Sequence, residues 1–127
     1  DVPGDKRNQA LCYLRDLYPA ICDLAGVPIP ESVEGRSLNP VIKGKQDSVY
    51  SEVYGYFRDK QRMVRDNRFK LIHYPHLDRN QLFDLQEDPH EQNDLSDDRR
   101  YSKVLRSLQE KLARKTKDWA TSAGGSK

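Results

Sequence analysis

Tyr101, Val104, Leu105, Leu108, Leu112 and Trp119 recur at helical spacing, and this stripe constrains the chain more than any other feature. It predicts an amphipathic helix of about 18 residues, over 101–119, whose apolar face needs a sheet to cover. Candidates for that sheet come just before it. Residues 49–54, 62–65, 69–74 and 81–85 are short aromatic or β-branched runs separated by turn-forming residues, and they read as four antiparallel strands. Asp66-Asn67 can adopt the positive φ values of a tight hairpin turn, which sets Met63 and Val64 against residues 69–72. The fold class expected is therefore α+β, a small four-stranded antiparallel sheet packed by a C-terminal amphipathic helix.

The region before the sheet reads differently. Residues 10–14 form an apolar run too short for a helix and read as a strand. Asp16 then looks like a helix N-cap, with Pro19 in the first turn and Ile21, Leu24 and Ala25 as an apolar stripe. Gly26 suits a left-handed C-terminal cap, and Pro28 and Pro30 prevent continuation. Residues 37–44 fit one or two helical turns, and 121–127 is flexible by composition.

Composition limits what else the chain can hold. With 35% hydrophobic and 33% charged residues there is apolar material for one modest core. A net charge of +2, with acids and bases alternating, offers no continuous basic face, so no nucleic-acid partner is expected. No apolar run approaches the roughly 20 residues that span a bilayer, and the first residues do not read as a signal peptide. Cys12 and Cys22 are the only cysteines, too few for a disulfide framework, and read as buried free thiols. His73, His76 and His90 lack the spacing of a zinc site.

The stretch QLFDLQEDPHEQNDL places a strand directly before a knot of acids, seven of them from Asp84 to Asp98. Calcium would favour clustered oxygens, but the segment has no glycine and lacks the alternation of an EF-hand loop. The alternative is a strand ending at Leu85, a turn nucleated by Asp88-Pro89, and Glu91 and Asn93 pairing with exposed backbone donors.

Taken together, four pieces stand in the order seen in one family: RDLYPAICDLAGVPIP with VEGRSL after it, VYSEVYGYFRDKQRMVRDNRFKLIHY, QLFDLQEDPHEQNDL, and the closing helix. The chain resembles the C-terminal part of a sulfatase, of the formylglycine-dependent family within the alkaline phosphatase superfamily. Ala20 stands where the family usually has Thr, and Asn39 where it often has Leu. The resemblance implies that residues 1–44 are the end of an α/β catalytic domain, a strand, helix and loop from its edge. It implies that 45–120 are the C-terminal subdomain and 121–127 a tail.

It further implies a parent enzyme hydrolysing sulfate esters with a formylglycine and calcium, on a sulfated small molecule or sugar. The formylglycine derives from a Cys or Ser in a Cys/Ser-x-Pro-x-Arg motif. Neither CYLRD at Cys12 nor CDLAG at Cys22 fits that motif, so this chain is expected to hold no catalytic residue and no metal. Its partner would be the N-terminal α/β domain of the same polypeptide, and export to the periplasm, outer surface or lysosome is what the family implies. The residues expected to border the substrate cleft are Tyr54, Tyr56 and Arg58 in the first hairpin connection, and His76 and Arg79 in the loop from 74 to 80. Two alternatives stand beside this: a related phosphodiesterase or phosphonate hydrolase, and a polyanion-binding module using Arg58, Lys60, Arg62, Arg65, Arg68 and Lys70.

Overall fold

The computed structural model describes residues 4–5 and 7–123, the side chains of 121–123 excepted. It divides into two compact units, residues 1–53 and 54–127.

The second unit contains the sheet and the long helix. β1 (Val53–Phe57), which begins at the boundary, is followed by β2 (Gln61–Arg65), β3 (Phe69–Tyr74) and β4 (Arg79–Asp84), in the sheet order β1-β2-β3-β4. β2 and β3 pair antiparallel with Met63 opposite Ile72 and Val64 opposite Leu71, the register expected from the apolar pattern. β3 pairs with β4 so that Leu71 faces Leu82 and His73 faces Asn80. α3 (Ser102–Ala123) closes the unit. Val64, Leu71 and Leu82 from one sheet face and Leu108 and Leu112 from α3 form the core, with Tyr54, Phe69, Leu95, Tyr101, Val104 and Leu105 packed around it. The helical stripe and the strand alternation thus meet in one core. Trp119 lies further along α3, 5.1 Å from the Tyr56 ring.

Several details depart from expectation. The turn at Asp66-Asn67 has no positive φ. Instead the Asp66 carboxylate accepts from the backbone N–H groups of Arg68 and Phe69 at 2.9 and 2.7 Å, closing the turn with a side chain. The first strand starts at Val53, not at 49, because Ser48 Oγ bonds to both the N–H and the carbonyl of Tyr50 and Arg36 donates to the carbonyl of Val49. Those backbone groups are unavailable to a ladder. α3 runs to Ala123 into the expected tail, of which 124–127 lie outside the described residues.

The acidic knot folds as turns and caps, with the Asp88-Pro89 turn closed by the Glu91 N–H on the Asp88 carbonyl at 3.2 Å, but the side-chain acceptors are not Glu91 and Asn93. Asp94 accepts from the N–H groups of Leu82 and Ser96, Asp88 from Asn93, and Asp98 from Arg100 at the start of the closing helical segment. Glu91 instead pairs with Lys70 at 2.7 Å. Asp84, 2% exposed, takes a bidentate contact from Arg68, with Nη2 at 2.7 Å. That guanidinium holds the Asp84 carboxyl below its ordinary range, against the opposing effect of burial. A carboxyl lowered in the folded state stabilises above its unfolded value, near 4, and loses that contribution as pH falls toward the folded value. The melting temperature of wild type should therefore fall more steeply between about pH 5 and about pH 2 than that of Asp84→Asn. Parallel curves in a thermal-melt series would show the pair to be idle.

The first unit carries α1 (Leu17–Ala25) and the short α2 (Asn39–Ile42). The strand expected over 10–14 is absent. Residues 10–13 are irregular and a 3-10 turn spans Leu14–Asp16, because the N–H of Tyr13 goes to the Asp16 carboxylate at 2.6 Å and not to a neighbouring strand. Asp16 makes no side-chain cap to α1. Gly26 ends α1 in the left-handed region, φ 68°, as the sequence suggests. The buried face of α1 is Pro19, Ala20 and Cys22, while Ile21, 64% exposed, and Leu24 and Ala25 face outward. Cys22 is buried but Cys12 is exposed.

Candidate functional site

The residues expected at the cleft all belong to the second unit or its first strand, yet they fall into separate settings. Tyr54 and Tyr56 lie within β1, ahead of the hairpin connection. Tyr54 is half-buried against the core, with the Lys115 ammonium 6.0 Å from its ring centroid. Tyr56 is 67% exposed, packed on Trp119 and approached by the Arg62 guanidinium at 5.8 Å. Arg58 occupies the hairpin turn at φ 50°, where its carbonyl accepts from Arg62 Nη1.

His76 sits in the 3-10 turn Pro75–Leu77 between β3 and β4, and its Nε2 donates to Asp59 Oδ2 at 2.9 Å. Asp59 belongs to the turn between β1 and β2, so this contact ties two hairpin ends together. The bond from His76 also lowers the pKa of Asp59. Arg79 opens β4, exposed, with its guanidinium 3.8 Å from the Asp94 carboxylate. That contact is long, and it leaves most of the guanidinium fork open to solvent.

The same hairpin ends border a groove of about 670 Å³ between the sheet and α3. Arg62 and His73 from the sheet, His76 and Asp59 from the turns, and Gln109 and Ala113 from the helix line it. Sequence reasoning placed His76 near a cleft but passed over Gln109, Ala113 and Thr116, because their spacing marks only the solvent side of an amphipathic helix. Arg79 lines a different and more polar recess with Asp94, Ser96 and Asp97.

Among the described residues no three His, Cys, Asp or Glu side chains converge in a way that could hold an ion. Three of the six basic residues considered for polyanion binding are engaged: Arg68 with Asp84, Lys70 with Glu91, and Arg62 with the carbonyls of Arg58 and Gln61. No described helix is long and apolar enough to cross a membrane.

Comparison with known proteins identifies the fold and its kin. A family model described as N-sulphoglucosamine sulphohydrolase, C-terminal, matches residues 2–118, and the chain belongs to that family. A Delta 4,5-hexuronate-2-O-sulfatase of Bacteroides thetaiotaomicron is 35% identical over 114 residues, covering 81% of this chain and 24% of the relative. A solved 2-O GAG sulfatase is 33% identical with a TM-score of 0.65, covering 84% of this chain and 26% of that one. The phosphonate monoester hydrolase of Silicibacter pomeroyi is 25% identical with a TM-score of 0.59, covering 78% and 24%. The chain thus spans about a quarter of the length of these relatives. The α+β architecture, the four-stranded antiparallel sheet with its C-terminal helix, is the one expected from the family.

Proposed function

We propose that the protein is a sulfatase acting on sulfated saccharides, and that this chain is its C-terminal region, supporting the fold and bordering the substrate cleft. The observation that carries the reading is the family match over residues 2–118, joined by a relative whose name specifies a sulfated hexuronate. Residues 1–44 would complete the edge of an N-terminal α/β catalytic domain and 45–120 would form the C-terminal subdomain. Supporting the first part, α1 turns Leu17, Ile21 and Leu24 to solvent, an apolar face suited to another surface of the same polypeptide.

Formylglycine and calcium, which the family implies, would supply the nucleophile and the charge that stabilises the leaving sulfate. The described residues do not fit either group, for among them no three His, Cys, Asp or Glu side chains converge and neither cysteine has the Pro and Arg context. Both would belong to the catalytic domain. The role left for this chain is to bind and orient the sugar. Arg79 would donate from its open guanidinium fork, and His76, steadied by Asp59, would present its other ring nitrogen to a hydroxyl. Tyr56 and Arg58 would offer a ring face and a cation beside the first hairpin turn.

The test is desulfation by the protein with its catalytic domain, set against the 127-residue chain alone, which should show no turnover of aryl sulfates with or without calcium. Arg79→Ala should raise KM for a sulfated saccharide by about tenfold and His76→Ala by less, with kcat on a small aryl sulfate nearly intact. Equal loss of kcat on every substrate would place these residues in the catalytic centre and end the selectivity role. Turnover of phosphonate monoesters but not sulfate esters would favour the other reading, which the phosphonate monoester hydrolase likeness supports.

A further inference from the structure

The groove between the sheet and α3 has the chemistry of a site for an uncharged ligand. Its floor is aliphatic, formed by Leu71, Pro75, Leu112 and Ala113. Charged groups border it, and two of them are already engaged. Arg62 donates Nη1 to the carbonyls of Arg58 and Gln61, and Asp59 accepts from His76. His73 and Asp78 are the other ionisable side chains there, and Asp78 is exposed on the loop between β3 and β4.

What stays uncommitted around the floor is planar, an imidazole and two carboxamides. His73 Nδ1 and Asn80 Oδ1 lie 3.0 Å apart, which leaves His73 Nε2 to a ligand hydroxyl, itself both donor and acceptor, and the Asn80 amide NH₂ as a donor. Gln109 adds a second amide from the helix side. Aliphatic floor and amide rim match the C–H face and the hydroxyls of a pyranose, each hydroxyl both donating and accepting. The volume, about 670 Å³, falls within the range of roughly 300–1,000 Å³ usual for small-molecule sites. Beyond Arg62, the exposed Tyr56 ring offers a stacking face for a following sugar.

We infer that this groove is a saccharide subsite, holding an uncharged pyranose of the substrate chain between the Leu112–Ala113 floor and the amides of Asn80 and Gln109. The choice of a saccharide rests on the sulfatase reading above. The groove makes the protein a reader of oligosaccharides, with specificity set by a ring that carries no sulfate.

The test uses the protein with its catalytic domain and two unsulfated neutral probes, cellobiose and N,N′-diacetylchitobiose, followed by calorimetric titration. At least one probe should bind. Gln109→Ala should weaken it by about fivefold, the loss of one hydrogen bond. Ala113→Trp, which fills the groove from an exposed helix position, should abolish binding, while Arg106→Ala, on α3 outside the groove, should leave it unchanged. Failure of both probes to bind wild type, or wild-type binding by Ala113→Trp, overturns the proposal. Should Ala113→Trp fail to fold, undiminished binding by Gln109→Ala decides against it in the same way. Because the probes carry no sulfate, binding is read without turnover. Groove-dependent binding in a protein that desulfates nothing would sink the sulfatase reading alone, and desulfation of a sulfated monosaccharide without probe binding would sink the groove alone.

Discussion

Leu108→Asp should unfold the sheet-and-helix unit near room temperature. Leu108 is 2% exposed and stands at the centre of the core made by Val64, Leu71, Leu82 and Leu112. Truncating such a leucine to alanine costs about 3–5 kcal/mol through lost transfer energy and the cavity left behind. Aspartate adds the desolvation of a carboxylate with no cation in that core to meet it, so the group must either take up a proton or draw water in. A small domain holds only about 5–15 kcal/mol in total, and the combined cost consumes most of it. Leu105→Asp, at a half-buried position on the same helix, should cost much less. Far-ultraviolet circular dichroism melts of the three proteins check the order. A Leu108→Asp midpoint within a few degrees of wild type would mean that α3 does not seal this sheet.

That core was legible in the sequence because it rests on periodicity. The 101–119 stripe and the apolar alternation of β2 and β3 each encode one face of the same interface, and the register of Met63 against Ile72 follows from which face is apolar. Where a polar side chain decides the backbone path, periodicity is silent. Residues 10–14 have the composition of a strand but pair with no strand among the described residues, and Tyr13 turns its N–H to Asp16. The hairpin at Asp66 closes through a carboxylate where a left-handed backbone was expected. α1 shows the same limit from the apolar side: its sequence has hydrophobic residues on most of its circumference, so spacing alone could not say that Ala20 and Cys22 turn inward while Ile21 turns outward.

The candidate site was partly legible for a related reason. His76 stands in the polar connection between β3 and β4, where function is concentrated, Arg79 follows at the start of β4, and both lie in exposed positions. The tie between His76 and Asp59 joins residues 17 apart through the antiparallel arrangement of two hairpins. The groove joins the helix to those same ends, with Gln109 and Asn80 both in its lining. Such convergence is a property of the assembled sheet and helix, and no local pattern announces it.

Asp16→Ala is the second substitution expected to be severe, and its effect should fall on the first unit. Asp16 is 0% exposed, and its two oxygens gather three donors, one local and two distant in the chain: the N–H of Tyr13 at 2.6 Å, the N–H of Arg36 at 2.9 Å and the hydroxyl of Tyr50 at 2.8 Å. The Tyr13 and Tyr50 rings meet edge to face at 5.0 Å, with the Arg15 guanidinium over the first and that of Arg36 over the second. Alanine would leave three donors in poorly solvated positions without an acceptor, at about 1–3 kcal/mol each where water cannot enter. Asparagine keeps one acceptor but turns an amide N–H₂ toward another donor, so Asp16→Asn should recover little. Tyr50→Phe removes only one member and should cost about 1 kcal/mol. Thermal melts should therefore rank Asp16→Ala and Asp16→Asn well below Tyr50→Phe. An independent reading comes from the phenol: burial first, and then the bond to Asp16, raise the Tyr50 pKa, so removal of the carboxylate should bring it down in an ultraviolet titration. If Asp16→Ala melts with Tyr50→Phe and the phenol titrates unchanged, the carboxylate is not what gathers these three segments.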